Sequence, residues 1–351
     1  MRRVVSIILI FMAVLLAGAC QRRPFAEYRS KISLNLMINT NIVNQAQVVL
    51  PENMRVDLYD PETGQLKYTD YVGPTGGYIH PAPGIYDMIV YSIGTESTIV
   101  HNEQHFDEIE AYTNEVSAFI KGQMSQFLAK RAKAARERAA KKLMQLQQQS
   151  EDTDAKAPEP FEDELVVNEP DHIFVGWYHN MEVPVIYEDD GDVEILIEVD
   201  VHTIVETWQV EVRNIEGTEW IGSTISLMSG QKGSVHLGPN VHSERVVSVY
   251  FDMKVQDRED GKGKCLKGKF NTFGVHPDNL AGATLDLNIQ DRGGADFLYH
   301  FDVSEQFVNN EERYILVEQP IVVEEPKVEG GGGGFQPVVD PWEDVKTDIN
   351  L

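Results

Sequence analysis

Cysteine is nearly absent: the 351 residues contain two, Cys20 and Cys265. An exported domain stapled by disulfides carries an even set in its body, so no disulfide is expected here and the fold must rest on packed cores. Positive charge is scarce as well. Thirty Lys and Arg against 56 Asp and Glu leave a formal charge of −26. Such a body is repelled by nucleic acid and by anionic lipid, which excludes DNA or RNA as a partner. A long apolar run is also missing at the start. Val4 to Leu16 is 13 residues without a charge, short of the ~20 that a spanning helix needs. Length and a 42% hydrophobic composition suffice for two domains with real cores.

The beginning of the chain has its own pattern. Arg2 and Arg3 precede the apolar run, and Ala17-Gly18-Ala19-Cys20 closes it before Gln21-Arg22-Arg23. A positive start, a short apolar core and small residues at the end read as a secretory signal over 1–19. The boundary resembles the lipobox of bacterial lipoproteins, which implies cleavage between Ala19 and Cys20, a lipid thioether on Cys20 and palmitate-type acylation of the new amine. Loss of Arg2 and Arg3 then takes the formal charge from −26 to −28. Lipid chains worth about 0.8 kcal/mol per buried methylene hold such a protein firmly on a bilayer.

Residues 20–30 read as a tether, followed by an N-terminal β domain over 31–149. KISLNLM at 31–37 alternates with period two. MRVDLYDPETGQLKYTDY at 54–71 reads as a hairpin turning at Asp60-Pro61-Glu62-Thr63-Gly64. PAPGIYDMIVYSIG at 81–94 reads as a Pro-Gly turn feeding a strand, with Tyr86, Met88 and Val90 on one face and Ile85, Ile89 and Tyr91 on the other, a pattern of burial between layers. Asn114 or Ser117 then opens a helix of about 117–149. Ile120, Met124, Phe127, Leu128, Ala135, Ala139, Leu143 and Leu146 make its apolar stripe, and Lys130, Arg131, Lys133, Arg136, Arg138, Lys141 and Lys142 its basic, solvated face. SEDTDAKAPEPFEDE at 150–164 is an acidic linker. Alternating segments and turns recur over 165–325, a C-terminal sandwich. Five glycines, Gly330–Gly334, begin a flexible joint and tail within 326–351.

Three stretches together carry a family likeness: CQRRPF after the lipobox, YVGPTGGYIHPAPGIYDMIVYSIGTESTIVHNE with AYTNE in the first block, and GGGGGFQPVVDPWEDVKTDINL at the end. The chain resembles the fimbrillin-like surface lipoproteins of Bacteroidota, related to fimbrial anchor and minor subunits. The resemblance implies a mainly β fold of two tandem transthyretin-like, Greek-key β-sandwich domains, with the long basic helix inserted in or appended to the first. It implies an outer-membrane, lipid-anchored protein of the cell surface that serves a fimbrium in assembly, anchoring or cell adhesion. It implies other fimbrial or surface subunits as protein partners, joined by strand exchange, and no enzyme. A tail strand of Phe335, Val338, Trp342, Val345 and Ile349 suits pairing with an open sheet edge, although Pro337 and Pro341 confine it to edges or turns; it could also pack back on its own domain. Arginine-specific cutting to release a first strand would fall at Arg29 or Arg55. A glycan-binding surface lipoprotein of a nutrient-uptake system is the alternative.

Catalytic and metal patterns are weak. Ser229-x-x-Lys232 lies between strands rather than on a helix. His101 and His105 lack a His-Glu-x-x-His context. Glu188-Asp189-Asp190-Gly191-Asp192 lacks the spacing of a calcium loop and reads as a solvated turn. GKGKCLKGK at 261–269 is no phosphate loop but a hairpin tip. Trp208 reads as core; Trp177, Trp220 and Trp342 stay unplaced. No cofactor and no metal is expected.

Overall fold

The computed structural model describes residues 31–38, 51–149, 165–185, 194–275 and 283–326. The protein is mainly β. Its strands begin with β1 (Lys31–Ile38), β2 (Met54–Tyr59), β3 (Leu66–Val72), β4 (Tyr78–Ile79), β5 (Gly84–Ser92), β6 (Thr98–His101) and β7 (Glu110–Thr113), followed by helices α1 (Ala118–Gln123) and α2 (Ser125–Gln149). Then come β8 (Leu165–Val167), β9 (Phe174–Val183), β10 (Glu194–Thr203), β11 (Glu206–Val212), β12 (Ile215–Glu216), β13 (Ile221–Lys232), β14 (Ser234–His236) and β15 (Val241–His242). The last are β16 (Val246–Phe251), β17 (Met253–Asp257), β18 (Lys264–Thr272), β19 (Thr284–Asp291), β20 (Asp296–Asp302), β21 (Tyr314–Val317) and β22 (Ile321–Val322).

The hairpin β2–β3 forms where its turn chemistry placed it. Asp60 Oδ1 accepts the N–H groups of Glu62 and Thr63, each at 3.0 Å. Gly64 follows at φ +68°, and a Cβ there would lie 2.7 Å from His105 Cε1, so only glycine fits. This hairpin enters a seven-stranded sheet of order β3-β2-β5-β9-β10-β1-β4. The sheet curls until its two ends meet: the backbone N–H of His80, just past β4, donates to the Tyr68 hydroxyl on β3 at 2.9 Å. Met54, Val56, Met88, Val90, Val199 and Val201 fill the enclosed space. On the other face, Tyr59, Ile89, Tyr91 and Val175 pack against Ala111 and Val235 of a second sheet, β15-β14-β7-β6, and against Leu237 just past β14. From Met88 to Ser92 the strand β5 is thus buried on both sides, while Ile85 is exposed and Asp87 half-buried.

Two further sheets, β17-β18-β11-β21 and β20-β19-β13-β16-β8, face each other across the largest core. Trp208, Val210, Phe251, Phe270, Leu285, Leu287 and Phe301 are buried there, each such side chain contributing about 1.5–3 kcal/mol.

The sheets do not follow the sequence partition at 164–165. β9 and β10 lie beyond it, yet they pair with β5 and β1 of the first sheet. β14 in turn pairs with β7. Alternation specifies which face of a strand is apolar, not which sheet it joins. Ile197 and Val199 found the first core because β10 runs parallel to β1 along all eight residues of the latter. The helix differs too. It follows the first block in sequence but packs on the β20-β19-β13-β16-β8 sheet, where Met124 and Phe127 meet Val166 and Leu227. Ser117 caps α1, its Oγ accepting the Ile120 N–H at 3.3 Å.

Candidate assembly edges and crevices

A sheet can recruit another chain only through an edge whose backbone groups are unused. β21 is an edge strand, and it is sealed. The Gln306 side chain donates from Nε2 to the Leu316 carbonyl at 3.0 Å and accepts the Leu316 N–H at Oε1 at 2.8 Å, as a neighbouring strand would. Asn310 Nδ2 adds a bond to the Tyr314 carbonyl at 2.8 Å. Two other edges carry no such amide clamp among the described residues. β20 has β19 on one side and no strand on the other among the described residues. Among the described residues β1 pairs with β4 at Ile32 and Ser33 only, so Leu34–Ile38 have a described strand on one side alone.

Above the face of β13, β16, β19 and β20, α2 is held by a buried ion pair. Arg131 Nε donates to Asp286 Oδ2 at 2.6 Å, and its Nη2 donates to Ser229 Oγ at 2.8 Å and Ser248 Oγ at 2.9 Å. His300 Nδ1 lies 2.6 Å from the second Asp286 oxygen. Burial opposes ionisation of Asp286, but the bonds from His300 and Arg131 outweigh it and hold the carboxyl below its ordinary range. Arg131, read as part of the solvated face, is 9% exposed. It stands one turn after Phe127 on the inward stripe, so helical spacing alone could have found it.

Two crevices open beside the two sheets that share the largest core. A groove of 1410 Å³ crosses the outer face of β11, β18 and β21 and contains Glu169, Asp171, Asp252 and Glu211. Glu211 is tied down by Arg213, Tyr314 and Lys267. Glu169 accepts the Asn271 N–H at 2.9 Å, yet burial, with Asp252 and Asp171 close by, pushes its carboxyl up to about 7. The folded value lies above the unfolded one. Its contribution is therefore full below about pH 4.5 and is lost as pH rises to about 7. Urea titrations should show wild-type stability falling by about 1–2 kcal/mol across that window, discounted for partial exposure, while Glu169→Gln flattens the profile. The second crevice, of 890 Å³, lies where the curled sheet meets the sandwich, with Lys232, His242, His202 and Arg313 in its wall.

The residues singled out in the sequence are scattered. Ala19, Cys20, Arg29, the acidic turn 188–192 and the tail positions Phe335, Val338, Trp342, Val345 and Ile349 lie outside the described residues. Arg55 sits in β2, paired with Asp57 and Glu103. Ser229 is buried and bonded to Arg131 and Thr284, while Lys232 faces the crevice. His101 pairs with Glu110 at 2.7 Å, and His105 packs beneath Gly64. Among the described residues no cluster has the makeup of a metal site, and no helix is long and apolar enough to cross a membrane. Trp208 is buried in the core. Trp177 donates to the Leu237 carbonyl at 2.6 Å, so it is no open stacking platform. Cys265 is buried and free, and burial raises its thiol. The hairpin tip joining β17 to β18 turns through Gly261 and Gly263 at positive φ.

A family described as a domain of unknown function, DUF5119, matches residues 19–252. The chain belongs to that family. The match ends between β16 and β17. The "Putative fimbrium anchoring subunit Fim4B" of Bacteroides ovatus is 29% identical to this DUF5119 chain over 101 residues, so the matched stretch spans 29% of that relative's length. A crystal structure described as "a putative adhesin from Bacteroides ovatus" is 18% identical, covers 88% of this chain and 98% of its own, and superposes with a TM-score of 0.54, which shows a common fold. The fimbrial anchor protein Mfa2 from Porphyromonas gingivalis is 13% identical, with 81% and 86% of the two chains covered and a TM-score of 0.45. These relatives bear the names of fimbrial and adhesive proteins, not of enzymes.

Proposed function

We propose that this DUF5119 protein is a non-enzymatic, lipid-anchored component of a fimbria-like adhesive apparatus at the cell surface, an anchoring or minor subunit joined to its neighbours by strand exchange. In this reading Cys20 carries the lipid in the outer membrane, and two tandem Greek-key units form the body. The contrast among sheet edges carries the reading. β21 is sealed by Gln306 and Asn310, whereas β20 and the second half of β1 lack a second strand among the described residues. Main-chain hydrogen bonding along such an edge gives affinity, and alternate side-chain pockets give specificity. The residues Phe335, Val338, Trp342, Val345 and Ile349, beyond a Gly-rich joint, are the donor this reading assigns.

Truncation before Gly330 tests it. The shortened protein should melt several degrees lower than the full chain, at about 2–4 °C per kcal/mol lost. A synthetic 335–351 peptide should bind it and restore the difference. Unchanged melting together with no peptide binding would sink the strand-exchange mechanism.

A further inference from the structure

The helix α2 runs on past its anchor. Arg131 is tied to Asp286, and Lys130 lies 3.9 Å from Asp296. Beyond them the described side chains Lys133, Arg136, Glu137, Ala140 and Lys141 are all exposed. Neither Lys133 nor Lys141 forms an ion pair among the described residues. Residues 125–149 hold seven basic side chains and one acidic, a formal charge of +6 on a chain of −26. Like charges three and four positions apart destabilise a helix, and Glu137 is the one acidic residue within it to relieve them. The exposed half therefore gains from counter-charge outside itself.

The chain carries that counter-charge past the same face. Phe127 packs with Val166 of β8, and the Val166 carbonyl accepts the Val116 N–H at 3.2 Å. β8 thus starts beside the beginning of the helix. At about 1.5 Å per residue, Gln149 lies roughly 33 Å further along the axis than Phe127. Residues 150–164, outside the described residues, must bring the chain back over that distance. The 16 steps from Gln149 to Leu165 reach at most about 55 Å, so more than half of that reach is spent running antiparallel to α2. This stretch has seven acidic residues and one lysine, a formal charge of −6, equal and opposite to that of the helix. Attachment at both ends gives it an effective concentration on the order of mM at the helix. A separate anion must instead approach a molecule of −26.

We infer that the acidic segment 150–164 docks along the exposed basic face of α2 and neutralises it, an interaction within one chain. It involves neither the lipid nor the tail, so it stands or falls independently of strand exchange.

Hydrogen exchange of the purified full-length protein, read by mass spectrometry over residues 136–149, tests this. Changing every Asp and Glu of 150–164 to Asn and Gln should lower protection there about five- to tenfold, the worth of three or four exposed ion pairs. The sign is decisive, because undocked carboxylates beyond a helix C-terminus oppose its dipole and their neutralisation would raise protection. Lys133→Gln with Lys141→Gln should lower protection about threefold more with the acidic segment present than with it neutralised. Wild-type protection should also fall as NaCl rises from about 0.05 M to about 1 M, where the Debye length shrinks to about 3 Å, and that of the neutralised variant should not. The salt series needs no variant, so it decides even where a substituted chain folds poorly. Equal or raised protection on neutralising the segment, an equal effect of the lysine changes in both backgrounds, or salt-independent wild-type protection would each overturn the assignment.

Discussion

Replacing Arg131 with methionine is expected to destabilise the protein by about 3–5 kcal/mol. Methionine keeps much of the apolar stem, so the loss is electrostatic. Asp286 is 2% exposed, and without the guanidinium its carboxylate retains one strong partner, His300. Removing one member of a buried pair strands the other, which costs far more than the pair itself contributes. Ser229 and Ser248 lose a donor in the same step. The damage should be local first. The helix anchor holds only a small cluster, Met124, Phe127, Val166 and Leu227 with their partly buried neighbours. Limited trypsin digestion should therefore cut within α2 of the variant under conditions that leave α2 of the wild type whole, while the largest core stays packed. Arg131→Met with Asp286→Leu should recover much of the loss, because it removes the stranded charge. Equal protease resistance of α2 in Arg131→Met and wild type would show that the ion pair does not hold the helix. The pH dependence has a definite sign. Asp286 titrates below its unfolded value, so its contribution is fully present above about pH 3.9 and is lost as pH falls through the folded value.

Gly238→Ala should cost about 3 kcal/mol or more, at the upper end of what overpacking produces. A Cβ at position 238 would lie 1.9 Å from the Phe106 carbonyl oxygen and 2.8 Å from its carbon. The neighbour is backbone, so no rotamer change relieves it. The position matters because it joins the chain's two halves: Leu237 donates its N–H to the Ile109 carbonyl at 2.8 Å, beside the β14–β7 pairing. The variant should lose the cooperativity of unfolding, with separate transitions for the curled sheet and the sandwich in urea. A single unshifted transition would mean that the close approach of Gly238 to Phe106 does not couple them.

Local features were legible in the sequence because their causes are local. Asp60 and Gly64 close the β2–β3 turn with bonds spanning only a few residues. Ser117 caps a helix with its own neighbours. The alternation of Met88 and Val90 against Ile89 and Tyr91 already states that β5 lies between two layers. Arg131 lies on the 3.6-residue stripe one turn past Phe127, but a basic residue in a basic run reads as solvated, and its buried partner Asp286 is far away in sequence.

Tertiary structure decided the rest, for reasons of partnership rather than propensity. Ile197, Val199 and Val201 could have faced any core; β1 drew them into the first by parallel pairing across more than 160 residues of chain. The helix could have covered either unit, and Asp286, a carboxylate 155 residues away, selected the second. Lys232 was part of a meaningless Ser-x-x-Lys match until the ends of five separate segments closed a crevice around it. Turning, capping and alternation follow from the order of the residues alone. Only the folded chain decided which strands, charges and cavities meet, because those energies depend on groups far apart in sequence and adjacent in space.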